Sequence, residues 1–123
     1  MYILLSYNNE TIIAEKFEAI VSRGIINSRM KDYYDLYMFV NFKLSEIDVK
    51  ILIAAINNTA KRRKTLDNIN SSSKIIALIE NNDQLKELWK QYQSKFEYVK
   101  NIEFKDVIAS IKVISEIVTP VSV

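Results

Sequence analysis

"ETIIAEKFEAIVSRGIINSRMKDYYDLY", residues 10–37, decides the fold. Its apolar residues recur at helical spacing: Ile13, Phe17, Ile20 and Val21 share one face. Gly24 follows where a first helix should stop, in the left-handed conformation that glycine takes past a helix C-terminus. A second helix is expected from Met30 or Lys31 to Phe42. Tyr33, Tyr34, Tyr37, Phe39 and Phe42, with Leu36, Met38 and Val40, point in every direction around it, as in a helix buried on most sides, so it is expected at the centre of the fold.

Before this stretch, "YILLSY" at residues 2–7 is a β-prone apolar run, and Asn8-Asn9 is a turn signal. No other run in the chain offers it a partner strand, so it is expected to pair outside this polypeptide. After it, Ser45 and Asp48 have the spacing of a capping box opening a third helix, which runs through Ile51, Leu52 and Ile56 to about Ala60. Lys61, Arg62, Arg63 and Lys64 suit the C-terminus of that helix. "TLDNINSSS" at 65–73 reads as a polar loop, and Ile75 to Ile79 as a short helix closed by "ENND". Leu85, Leu88, Trp89, Tyr92 and Phe96 form one helical stripe, and Val107 to Val118 another that Pro120 ends. The expectation is an all-α bundle of about six helices, divided as an orphan strand and turn at 1–9 and one helical domain at 10–123.

Composition narrows the chemistry. At 123 residues, 49% hydrophobic and 26% charged, the chain suits one domain with a real core. A net charge of +2 does not argue for a nucleic-acid binder. With no cysteine and no histidine, thiol nucleophiles, His-based triads and zinc sites are excluded. The single glycine excludes Gly-rich phosphate loops. No apolar run reaches the roughly 18–20 residues of a membrane span, and no signal-peptide pattern opens the chain, so a cytoplasmic location is expected. Any chemistry rests on Lys, Asp, Glu, Tyr or hydroxyl groups.

Charges interrupt the apolar faces of the two leading helices. Lys16 lies in the row Ile12, Lys16, Ile20, while Glu15, Glu18 and Ser22 take the polar side. Two readings of Lys16 stay open: a stem lying on the core with its ammonium in water, or a phosphate contact, with Arg23 one heptad beyond. Asp32 and Asp35, three residues apart, share one side of the second helix. Asp32 alone reads as a first-turn acid favoured by the helix dipole, and Asp35 as a partner for Arg29 or Lys31. Together with Lys16 they suggest a site between two helices, since pairing relieves the cost of burying each charge. The basic run 61–64 reads as a solvated helix end before a polyanion surface, and Trp89 as core.

The longer stretch "YNNETIIAEKFEAIVSRGIINSRMKDYYDLY" resembles the C-terminal half of the AbiEii/AbiGii-type nucleotidyltransferase toxins of bacterial phage-defence and toxin–antitoxin systems. The resemblance is carried by an E-x-x-x-AEK helix (Glu10, Ala14, Glu15, Lys16) and an R-x-KD-x-YDLY segment (Arg29, Lys31, Asp32, Tyr34, Asp35, Leu36, Tyr37). It implies that Lys16 contacts nucleotide phosphates and that Asp32 acts in catalysis as a candidate base. Asp35 joins Asp32 among the expected catalytic residues, Glu15, Arg29 and Lys31 join Lys16 in substrate binding, and no metal ligand is expected among them.

The departures matter too. Members of this family carry a sheet with Gly-Ser and D-x-D motifs whose carboxylates hold metal, and these 123 residues contain neither motif. The strand at 2–7 is then expected to be left from that missing sheet. Most of the rate enhancement should be lost without metal-held charge neutralisation. The expectation is a truncated or split protein, inactive alone, with no cofactor of its own. Magnesium and a nucleoside triphosphate enter only if the missing half is supplied. The expected partners are a separately encoded N-terminal domain, or a second copy joined through residues 2–7, and an antitoxin. RNA is an acceptor for which the sequence gives no support, and no membrane is involved. The rival readings are an interaction module built on the strand and a decayed remnant without activity.

Overall fold

In the computed structural model, which describes residues 8–119, the chain turns helical at Asn8, whose side-chain oxygen accepts the Thr11 N–H at 2.9 Å. This cap starts α1 (Asn9–Arg23), and Gly24 ends it with its N–H on the Ile20 carbonyl. Gly24 has φ 54° as expected, but ψ −131° is not the left-handed helical value. The residue turns the chain into a short 3-10 segment, Gly24–Ile26, instead of closing the helix with a left-handed cap. Asn27 then accepts the Arg29 N–H at 3.0 Å through its side-chain oxygen, fixing the entry to α2 (Met30–Phe42) within the expected bounds.

The helix at the centre is α1, not α2. It packs against α2, α3 (Val49–Arg63), α4 (Leu66–Asn70) and α5 (Ser72–Glu80), and Ile13, Ala14, Phe17 and Ile20 are fully buried. In α2 only Met30, Asp32, Tyr33, Leu36 and Val40 are buried, Tyr34, Tyr37 and Phe39 are half-buried, and Phe42 is exposed. Its neighbours α1, α6 (Asp83–Lys95) and α7 (Phe104–Val118) leave part of its circumference open. Aromatic density signalled an amphipathic belt and not full enclosure.

Two boundaries also differ from expectation. Asp48 alone caps α3, accepting the Ile51 N–H, while Ser45 sits in the separate 3-10 turn Leu44–Glu46. The extended backbone at Asp48 brings its short carboxylate over the first turn, which a serine three residues earlier cannot reach. The "TLDNINSSS" segment is helical and not a loop: α4 anchors through Ile69, 1% exposed, against α1 and α3. A five-residue helix owes its stability to that tertiary contact and not to propensity.

The rest follows the periodicity. Asn82 caps α6, and Trp89, buried, donates its Nε1–H to the Ile102 carbonyl at 2.8 Å. Phe96 lies beyond α6, 39% exposed. Asp106 accepts the Glu103 N–H to open α7, whose Val107, Ile108, Ile111 and Ile114 complete the core. Among the described residues the protein is all-α, with seven helices where about six were expected, α4 being the addition. No helix there is long and apolar enough to cross a membrane. The expected strand at 2–7 and the Pro120 stop lie outside the described residues.

Candidate functional site

Where α1 meets α2, the charged residues of the two apolar faces join. Lys16 Nζ lies 3.1 Å from Asp32 Oδ1 and 3.1 Å from Asp35 Oδ2, and Lys31 Nζ lies 3.0 Å from the same Asp35 oxygen. The charges thus alternate in sign from exposed Lys31 through Asp35 and Lys16 to Asp32, whose carboxylate is only 5% exposed. Asp32 can be buried because Lys16 reaches it from the neighbouring helix.

Burial disfavours the Lys16 ammonium, but hydrogen bonds to Asp32 and Asp35, and their charges, outweigh that cost and hold its pKa above the ordinary 10.5. A lysine held in its charged form is unsuited to act as a base or nucleophile at neutral pH. It is suited to bind an anion. Its ammonium has three N–H donors, and the described residues supply two carboxylate oxygens to it.

A cleft of about 200 Å³ opens over this pair, lined by Glu15, Lys16, Arg23, Arg29, Asp32 and Arg63. Three of the cations come from separate structural devices. Arg23 sits in the last turn of α1, Arg29 is held by the Asn27 turn, and Arg63 ends α3. Among the described residues Arg23 and Arg29 form no ion pair, so the cleft has a surplus of positive charge.

Spacing alone does not reveal the Arg63 side of the cleft. Glu18, assigned to the polar side by spacing, is 2% exposed. Its Oε1 accepts from Arg63 Nη1 at 2.6 Å, and its Oε2 accepts the Thr65 hydroxyl at 2.8 Å. Glu15 lies 3.6 Å from Arg63 Nη2 and 3.9 Å from Arg62 Nη2. All four residues of the basic run are exposed at the end of α3, as expected, but Arg63 also bonds the buried Glu18 of α1, because α3 packs directly on that helix.

Of the expected site residues, Lys16, Asp32, Glu15 and Arg29 come together around the cleft. Asp35 touches it only through Lys16, and Lys31 lies outside it, exposed and paired with Asp35. The signal for Glu18 was present in the row Ala14, Glu18, Val21, whose flanking members are both buried. Among the described residues no group of three Asp or Glu side chains gathers to hold a metal. Asp32 and Asp35 face lysines instead, so this donor set does not fit magnesium.

A family model described as "Nucleotidyl transferase AbiEii toxin, Type IV TA system" matches residues 3–110. The chain belongs to the AbiEii toxin family. No curated protein and no solved structure matches it at a significant level. The AbiEii match runs from before α1 into α7, so it takes in both motif stretches and every residue that lines the cleft.

Proposed function

We propose that the cleft over Lys16 is the triphosphate-binding half of a nucleotidyl-transfer site. The observation that carries this reading is the Lys16 ammonium, clamped by two carboxylates in a cleft with surplus positive charge, in a chain of a nucleotidyl-transferase toxin family. In such a transfer an acceptor hydroxyl oxygen bonds to the α-phosphorus of a nucleoside triphosphate. The bond to the β-phosphate breaks, and its electron pair leaves with pyrophosphate. Charge grows on the phosphate oxygens, and a fixed ammonium stabilises it without having to reorganise.

Asp32, which lines the cleft, takes the acceptor's proton in this reading; Asp35, shared between Lys16 and Lys31, keeps the lysine in line. Glu15, Arg29 and Arg23 border the phosphates. Magnesium finds no suitable donor set among the described residues, and the sequence lacks Gly-Ser and D-x-D. In this reading the metal-holding acids are supplied by another polypeptide segment, joined to this one or separate. The toxin–antitoxin family makes an antitoxin the expected further partner.

The test is transfer of label from each magnesium nucleoside triphosphate to bacterial RNA, using the chain alone and with the protein encoded directly upstream. Label incorporation should require the second protein and fall by at least about a hundredfold with Lys16→Ala. Incorporation by the chain alone contradicts the half-site, and an active Lys16→Ala contradicts the role of the lysine.

A further inference from the structure

Resting on that reading of the cleft, we infer that Arg63 is a second triphosphate-binding residue, and that Glu18 is the residue that positions it. Neither belongs to the two motifs that mark the site in the sequence. Arg63 stands on the last turn of α3, across the cleft from Lys16, and lines the same space. Its side chain is 40% exposed, whereas that of the Glu18 to which it bonds is 3% exposed. One edge of the guanidinium is thus fixed to a buried carboxylate while the rest is open to the cleft.

That arrangement suits phosphate recognition. A guanidinium has five N–H donors in a rigid fork, and bonding one of them to Glu18 at 2.6 Å fixes its plane without using the others up. Thr65 satisfies the second Glu18 oxygen, so the carboxylate does not turn toward the cleft to compete for cations. Glu15, at 3.6 Å, is half-exposed and beyond hydrogen-bond distance, a contact that an incoming phosphate can displace. Lys16, Arg63, Arg23 and Arg29 line one space, a set of cations that suits a chain of charged oxygens and not a single anion.

The experiment is calorimetric titration of the full chain with inorganic tripolyphosphate and with each nucleoside triphosphate, checking by circular dichroism that every variant stays helical. Arg63→Gln should weaken tripolyphosphate binding at least about tenfold, and equally for the four nucleotides, because it contacts no base. Arg63→Lys, which keeps the charge but not the fork, should recover only part of the loss. Glu18→Gln should weaken binding on its own yet add nothing to Arg63→Gln, since it acts through that side chain. A residue that merely ties α1 to α3 would change the melting temperature and leave these affinities alone. Unchanged affinity in Arg63→Gln alongside loss in Lys16→Ala overturns the inference and spares the site. A parent chain that does not bind tripolyphosphate, or a Lys16→Ala that binds as the parent does, overturns both.

Discussion

Lys16 and Asp32 explain each other. An aspartate 5% exposed would be costly to bury alone, and a lysine in an apolar row would otherwise send its ammonium to water. The spacing within each helix made both residues conspicuous, but neither spacing says that the two faces meet. Glu18 was harder still, because its partner lies 45 residues along the chain, and only packing of α3 on α1 joins them. Lys16→Met should destabilise the fold by about 1–2 kcal/mol at neutral pH, less than a fully buried pair because its side chain keeps 26% exposure. The pKa of Lys16 is raised in the folded state, so its contribution is complete below the unfolded-chain value near 10.4 and is lost as pH rises through the folded value. Urea unfolding of parent and variant from pH 7 to pH 11.5 should therefore show a constant gap up to about pH 10 and a narrowing gap above it. A gap that widens with pH would contradict the pairing.

Between α1 and α2 the turn is set by one backbone conformation. Gly24 at φ 54° and ψ −131° lies where a Cβ is disfavoured, although the space beside it is ordinary, with Ile75 Cγ2 3.5 Å from the position a Cβ would take. Gly24→Ala should therefore cost about 1–3 kcal/mol through the backbone alone, measured by thermal or urea unfolding; unchanged stability would mean that the turn readjusts freely. Helices with unbroken periodicity are legible, α2 to its bounds and α7 except for its first turn, which begins three residues before the apolar stripe. The short α4 was not, since a single buried isoleucine within nine mostly polar residues carries no period of its own. Sequence alone places the α3 cap three residues early because Ser45 and Asp48 both have cap chemistry, and only backbone geometry chooses between them.

At the scale of the molecule, α1 collects the site by packing against α2 on one side and α3 on another. The first contact brings Lys16 to Asp32, and the second brings Arg63 to Glu18. Composition had excluded thiol, imidazole and Gly-loop chemistry, and the two motifs marked one wall of the cleft. The opposite wall depended on a contact between residues far apart in sequence. A triphosphate should sit in this cleft. Co-crystallisation with a non-hydrolysable nucleoside triphosphate analogue, with the upstream-encoded protein present, tests it most directly. A phosphate oxygen should lie about 3 Å from Lys16 Nζ, within the cleft bordered by Arg29 and Arg63. Phosphates bound elsewhere, with the Lys16–Asp32–Asp35 cluster untouched, would contradict it.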